Sequence, residues 1–279
     1  MPLAIITGGN IGLGLETARG LLRRSFEVVI TSREQARAQN AIEWLKTEFP
    51  EARVSSLPLD LSKASSVDAF SGLFASGFGS WDVLVNNAGA KVLSSYSETD
   101  SGIEYHFGVN AVGHFALTAD LLKYRATKAR VVSVASIIAR FAPKTLGACG
   151  SASSYSPGAS YSASKLSNLL FALEMQRRFG SDLFSSVAAH PGFAKAEPYG
   201  PKSTRFFESF LAQSASRGAL PIIQAASDQD INGGSYLVPS LLELWGKPRS
   251  GKLFDSCSLN NQEENWRILE NLSRRKLVL

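Results

Sequence analysis

The sequence predicts an α/β protein of the Rossmann type: a doubly wound parallel sheet between two layers of helices, three layers (α/β/α) in a single domain over residues 1–279. Three observations carry this prediction. Short apolar runs alternate with longer stretches of helical periodicity. The runs are too apolar to have one face in water, which suits strands buried in a parallel sheet. No internal repeat or linker divides the chain, and 279 residues is enough for one large domain. Right-handed crossovers between such strands place helices on both faces.

The elements follow in order. Leu3–Thr7 is the first strand, succeeded by a glycine-rich turn and a helical pattern carrying Leu15, Ala18, Leu21 and Leu22. Glu27–Thr31 is the second strand. The helix after it places Ala38, Ile42, Leu45 and Phe49 on one face and stops at Pro50. Further strands are expected at Arg53–Leu59, Val83–Val85, Val131–Val134 and Val187–Ala189.

Two segments break the alternation. Ile137–Ser160, rich in Gly, Ala and Ser, reads as a long loop. Phe193–Ser250 reads as short helices around Thr204–Gln213 and Arg217–Ala226, followed by a Gly/Pro-punctuated stretch. Loops after the C-terminal ends of strands border the ligand crevice in this architecture. Both segments are therefore expected either to cover a substrate pocket or to be surface insertions. Phe193, Tyr199, Phe206, Phe207 and Phe210 would make such a cover aromatic and favour a large hydrophobic or aromatic substrate, unless these rings are core of the short helices.

Composition excludes several other classes. Hydrophobic residues make up 44% and charged residues 19%, an ordinary globular balance. No apolar run approaches the length that spans a bilayer. A strand pattern starting at Leu3 leaves no room for a targeting segment, so a soluble, cytoplasmic protein without a membrane anchor is expected. Cys149 and Cys257 lack CxxC spacing and read as free thiols. The net charge is +5 and the pI near 9.2, yet the cations are scattered. The densest cluster, Arg274, Arg275 and Lys276, reads as a solvated tail rather than a nucleic-acid site. His106, His114 and His190 have no metal-ligand spacing, so no metal is expected.

The cofactor end is the stretch Thr7-Gly8-Gly9-Asn10-Ile11-Gly12-Leu13-Gly14, set between the first strand and first helix. Glycines let the backbone approach a pyrophosphate, and the helix N-terminus offers unpaired N–H groups and partial positive charge. The second strand ends in Ser32-Arg33, with no carboxylate to bind a ribose 2′-hydroxyl. A guanidinium there suits a 2′-phosphate and points to NADP(H), although an exposed Arg at a helix start is the plainer reading. Asp60 after the third strand is placed either against the adenine amino group or as a helix N-cap. Leu61 is grouped with it on the cofactor. Asn87, Ala88 and Gly89 follow the fourth strand in an Asn-Asn-Ala-Gly turn.

The chemical end is Tyr161-Ser162-Ala163-Ser164-Lys165, heading a helical stretch that runs to Arg178. Spacing of i, i+4 puts Tyr161 and Lys165 on one helix face. A phenol with pKa ~10 is a poor proton shuttle near neutrality, and a nearby ammonium together with a nicotinamide cation would favour the phenolate. Lys165 is also expected to hold the nicotinamide ribose.

Taken together and in this order, these motifs resemble the short-chain dehydrogenase/reductase family. The Thr-Gly-x-x-x-Gly-x-Gly turn, the Asn-Asn-Ala-Gly turn, a serine at a strand end and Tyr-x-x-x-Lys all match it, and the resemblance runs from Leu3 to about Asp255. It implies that Ser136, ending the Val131–Ser136 strand, bonds the substrate oxygen, with Ser133 as the chemical rival inside the strand. Asn110 then holds a relay water behind Lys165, and Pro191-Gly192 faces the nicotinamide, with His190 a packing residue. Asn87-Ala88-Gly89 packs beside the adenosine.

Val109-Asn110-Ala111-Val112-Gly113-His114-Phe115 and Ser164-Lys165-Leu166-Ser167-Asn168 are similar to the retinol dehydrogenase/protochlorophyllide reductase-like branch. Ala196 departs from it, standing where relatives often carry the Thr that contacts the carboxamide. The implied activity is reversible reduction of a carbonyl (ketone or aldehyde) to an alcohol. Reduction of an activated C=C bond and a catalytically idle NADP-binding scaffold are the alternatives. A serine hydrolase is disfavoured because Gly158-Ala159-Ser160-Tyr161-Ser162 lacks the second glycine of a nucleophile elbow. Relatives form homodimers or homotetramers through helices flanking the sheet.

Overall fold

A computed structural model describes residues 1–90, 93–143, 155–194 and 212–278. Eight strands form one sheet: β1 (Leu3–Ile6), β2 (Glu27–Ser32), β3 (Val54–Pro58), β4 (Trp81–Asn86), β5 (Arg125–Val134), β6 (Phe184–Ala189), β7 (Tyr236–Leu241) and β8 (Trp245–Ser250). Their order is β3-β2-β1-β4-β5-β6-β7-β8. β1 to β7 are parallel, and β8 returns antiparallel along β7. The order reverses direction between β1 and β4, so the carboxyl ends of these two strands open the crevice in which this architecture binds its ligands.

Two apolar layers explain why the strands are so hydrophobic. On one face, Ile6, Ile30, Val85 and Val132 pack against α1 (Gly12–Leu22) and α2 (Gln35–Glu48) through Leu21, Ala41 and Leu45. On the other, Ile5, Leu84 and Val131 meet Phe70 and Phe74 of α3 (Ala64–Gly77). The same layer takes in Phe115 of α5 (Gly113–Leu121), and α4 (Tyr105–Phe107) precedes α5 across a five-residue π-turn, Gly108–Val112. Phe171 of α6 (Pro157–Phe179) completes it, stacking with Phe115 and Trp266. Each fully buried side chain of this size contributes roughly 1.5–3 kcal/mol.

The long segment after Phe193 differs from the sequence-based expectation. α7 (Ala215–Gly218) and α8 (Leu220–Ser227) form where a helix is expected around Arg217–Ala226, but the Gly/Pro-punctuated stretch after them, where no strand is expected, holds β7 and β8. β7 extends the core, with Leu237 and Val238 fully buried. β8 is a polar edge strand, and Pro239 pairs with Pro248 across the hairpin, where neither needs to donate to the ladder. In the earlier segment, Ile137–Phe141 is a 3-10 turn and α6 already starts at Pro157. Residues 144–154 of that segment, Cys149 among them, lie outside the described residues.

The C-terminal basic cluster is not a free tail. α9 (Leu259–Ser273) ends at Arg274, and Arg275 pairs with Asp120 of α5 (3.0 Å) and with Asp68 of α3.

The β7–β8 turn stores strain. Leu242 and Glu243 have φ of 53° and 60°, the two positive values of a type I′ turn that usually carries Asn-Gly. Leu242 is 71% exposed and gains no burial in return. A left-handed L-residue costs ~1–2 kcal/mol, less for Asn. Leu242→Asn should therefore stabilise the fold by ~0.5–1 kcal/mol in urea denaturation; an unchanged or lower midpoint would show that the leucine packs favourably.

Candidate active site

The cofactor end forms as a turn that excludes side chains. Gly8 and Gly12 have φ of +63° and +55°. A Cβ on Gly14 would lie 2.2 Å from the Gly8 carbonyl oxygen and 2.6 Å from Asn87 Nδ2. α1 starts immediately after Ile11, with no capping side chain and no carboxylate in its first turn. Its first amides therefore face outward with only backbone dipole around them, a ready anion site.

Gly8, Asn10, Ile11, Gly12, Gly14, Arg33, Asp60, Leu61, Asn87, Ala88 and Gly89 all line one cleft of about 410 Å3. Its glycine floor and basic edge fit a dinucleotide: pyrophosphate on the α1 amides, adenosine toward Asp60 and Arg33. The Arg33 guanidinium is exposed and donates to Tyr105 Oη (3.3 Å). Glu34, the carboxylate beside it, is paired with Arg37 at 2.9 Å.

Asp60 does not cap α3. Lys63 occupies the cap position, and Asp100 accepts from the Ala64 amide (3.1 Å). Asp60 Oδ1 instead accepts from Ser62 N (3.0 Å) and Ser62 Oγ (2.7 Å), which fixes the carboxylate in the cleft wall.

α6 brings the chemical end to the other side of the Gly89 turn. Lys165 Nζ, 5% exposed, donates to the Val134 carbonyl (3.1 Å), which also accepts from Asn168 Nδ2 (3.1 Å). Burial lowers the Lys165 pKa to about 8, and burial alone pushes the Tyr161 phenol up. This direction is opposite to the depression expected from Lys165 acting together with a nicotinamide cation. Nζ lies 6.0 Å from the Tyr161 ring centroid and points to a carbonyl, so desolvation outweighs its charge. A Cβ on Gly89 would stand 3.6 Å from Nζ, so this glycine keeps the approach to the lysine open.

Asn110 sits in the middle of the π-turn, a helix irregularity common at functional positions. Its Oδ1 accepts from Ala90 N (2.7 Å), and its Nδ2 donates to Ser164 Oγ (2.9 Å). Ser136 lies two residues beyond the end of β5 rather than within it, because the chain turns there. It caps the 3-10 turn, accepting from Ile138 N at 3.4 Å, and that turn packs on α6. Ser133 is inside β5, 1% exposed, with a hydroxyl that has no hydrogen-bond partner among the described residues.

Pro191-Gly192 follows β6. Gly192 has φ of +75°, a Cβ there would meet the Leu244 carbonyl at 2.4 Å, and Gln213 Nε2 holds the Pro191 carbonyl at 2.7 Å. His190 is buried. Phe193 is 38% exposed. Ala196, Tyr199, Phe206, Phe207 and Phe210 lie outside the described residues.

Sequence reasoning missed one buried pair. Glu104 accepts from the amides of His106 (3.1 Å) and Phe107 (2.9 Å) and from His106 Nδ1 (2.8 Å). His106 Nε2 accepts from Leu93 N (3.1 Å), so the proton is on Nδ1. The imidazole stands edge-on to the Tyr161 ring, centroids 6.0 Å apart. Testing histidines only for metal spacing hid this; the available signal was an acid two residues ahead of a histidine at a helix start.

This geometry agrees with what comparison with known proteins finds. Residues 2–203 match the family model described as short chain dehydrogenase. The chain is 31% identical over 280 residues to retinol dehydrogenase 12 of Mus musculus, covering 97% of this chain and 83% of that one. It is 35% identical over 251 residues to polyprenol dehydrogenase of Mus musculus, covering 84% and 75%. A crystal structure of an uncharacterised protein from Mycobacterium paratuberculosis superposes with a TM-score of 0.84 at 32% identity, covering 100% of this chain and 96% of the other. The chain belongs to the short-chain dehydrogenase family, in its retinol dehydrogenase-like branch, and is an oxidoreductase of the kind that binds a nicotinamide cofactor. No helix among the described residues is long and apolar enough to cross a membrane.

The buried lysine leaves a signature in stability. Its pKa is about 8 in the fold, against 10.5 for an unperturbed lysine. Between these values the unfolded chain binds more protons, so stability should rise with pH from about 8 toward 10. The full difference is on the order of 3 kcal/mol. Lys165→Met should flatten that rise in the cofactor-free protein, and parallel curves for the two proteins would contradict a desolvated ammonium.

Proposed function

We propose that the protein is an NADP(H)-dependent enzyme that interconverts a carbonyl and an alcohol on a hydrophobic small-molecule substrate. The observation that carries this reading is the meeting of Tyr161, Lys165 and Asn110 behind Gly89, at the edge of a cleft with a glycine floor and Arg33 on its rim. When bound, the nicotinamide supplies or accepts the hydride.

The chain's own residues handle the proton and the orientation. In the reducing direction Tyr161 Oη gives its proton to the carbonyl oxygen, and Ser136 Oγ donates a second hydrogen bond that fixes and polarises it. Lys165, held by Val134, places positive charge behind the phenolate left on Tyr161 and holds the nicotinamide ribose. Asn110 keeps α6 in register with the turn carrying Gly89 and Ala90, and connects the lysine to a relay water. Pro191-Gly192 bounds the nicotinamide side.

Two observations support the finer assignments. Arg33 directly follows β2, and the neighbouring Glu34 is paired with Arg37, which favours a 2′-phosphate. Two relatives are named for retinol and polyprenol, both long apolar alcohols, which suits the hydrophobic substrate class. The described strands share one sheet, consistent with a single catalytic domain.

Turnover measured against a panel of aldehydes, ketones and alcohols tests the reading. Tyr161→Phe should lower it by ~10²–10⁴-fold while NADPH binding persists. Arg33→Ala should weaken NADPH roughly 10–100-fold, the value of one charge-assisted contact, and leave NADH unchanged. Full turnover in the Tyr161 variant would remove the proton donor; equal use of the two cofactors by the wild type would remove the role of Arg33.

A further inference from the structure

We infer that His114 is a positioning residue that ties the cofactor turn to the catalytic tyrosine through a single directed hydrogen-bond path. The inference rests on the assignment of Tyr161 as proton donor. His114 is on α5 and is 2% exposed.

Its tautomer follows from its partners. Nδ1 lies 2.9 Å from the Asn110 carbonyl oxygen, which can only accept, so Nδ1 carries the proton. Burial holds the ring neutral, with a pKa of about 4, so Nε2 is a bare acceptor. The Thr7 hydroxyl is 2.8 Å from it. That hydroxyl has one proton and two closely placed donors of its own, the amides of Asn87 and Ala88, each at 2.9 Å. Its other acceptor, the Val85 carbonyl, is farther away at 3.2 Å.

The remaining links run in the same sense. Asn110 Nδ2 donates to Ser164 Oγ (2.9 Å), and Ser164 Oγ donates to the Tyr161 carbonyl (2.8 Å). The path goes from the Asn87 and Ala88 amides through Thr7, His114, Asn110 and Ser164 to the backbone of Tyr161. Thr7, Asn110 and Ser164 are fully buried, so water cannot replace a lost partner. A leucine at position 114 would leave both the Asn110 carbonyl and the Thr7 hydroxyl to reorient. The Asn-Asn-Ala-Gly turn and the start of α6 would then lose their common reference.

The test compares His114→Leu, His114→Gln, Thr7→Val and the double variant His114→Leu/Thr7→Val, each shown to be folded by circular dichroism at the assay temperature. His114→Leu should lower kcat by roughly 10- to 100-fold and weaken NADPH binding. His114→Gln, which keeps one donor and one acceptor, should recover much of the kcat. The double variant should lose little beyond His114→Leu, because both changes cut one link. A His114→Leu enzyme with wild-type kcat, or additive losses in the double variant, would overturn the inference. So would loss of thermal stability with kcat preserved, the mark of a packing role.

Should His114→Leu not fold, 15N NMR of the wild-type imidazole near neutral pH decides: protonated Nδ1 with bare Nε2 is expected, and a protonated Nε2 refutes the path. Tyr161→Phe separates the two assignments. If that variant is inactive while His114→Leu is fully active, only the positioning role fails; if Tyr161→Phe is fully active, the proton-donor assignment fails first.

Discussion

Parallel strands end in amides and carbonyls that no neighbouring strand completes, and the gap is widest where the strand order reverses. In this protein that point lies between β1 and β4, and Thr7 closes it with one buried hydroxyl. The Thr7 amide continues the ladder to the Val85 carbonyl (3.0 Å), while its side chain gathers the two amides that follow Asn86. Asn87 returns a bond from Nδ2 to the Thr7 carbonyl (2.7 Å). With all these groups paired inside the protein, Gly8, Gly12 and Gly14 keep the turn open at their positions and leave amides for a ligand. A crevice of this kind is expensive to build, since every unsatisfied buried polar group costs about 1–3 kcal/mol. Thr7 removes several of these costs with one side chain.

The same economy governs the reacting residues. Burial acts in opposite directions on Lys165 and Tyr161, lowering the first and raising the second, so each is driven toward its neutral form. Val134 offers the ammonium a carbonyl rather than a carboxylate, which steers the lysine without neutralising it. The positive charge thus remains available to an anion that forms beside it. In the proposed reaction desolvation would make that charge count for more as the phenol gives up its proton, because the surrounding dielectric is low.

Much of this arrangement is written locally. β1, β2, β4 and β6 and the second half of β5 are apolar runs separated by helical stretches, and the glycine turn, Asn87-Ala88-Gly89 and the Tyr161–Lys165 pair are contiguous motifs whose chemistry is recognisable without a structure. β7 and β8 are less legible for physical reasons. β8 is an edge strand of polar residues and two-residue alternation broken by Pro248, and its hairpin turn carries Leu242-Glu243 where Asn-Gly would signal it. Pairing with β7 overrides these propensities. His106 and His114 escape notice for another reason. His114 owes its place to a backbone carbonyl and to Thr7, 107 residues away, so no spacing rule reports it, whereas the Glu104 partner of His106 is local but matches no metal-ligand spacing. The reach of Arg275 to Asp68 and Asp120 is equally non-local.

The strained turn gains a meaning from its neighbours. Arg140 Nη2 contacts both carboxylate oxygens of Glu243 (2.9 and 3.0 Å) and the Lys252 carbonyl (3.3 Å), and its guanidinium lies over the Phe254 ring. Arg140 belongs to the 3-10 turn that begins at Ser136, and Leu244, one residue past Glu243, accepts from the Phe193 amide (3.1 Å) just after Pro191-Gly192. The left-handed turn therefore delivers Glu243 to the 3-10 turn that Ser136 caps and the Leu244 carbonyl to the residue that follows Pro191-Gly192. The ion pair is partly buried, with side-chain exposures of 30% for Arg140 and 12% for Glu243. Its value lies in geometry: it joins two loops that the sheet leaves independent and that the proposed site would bring to one substrate.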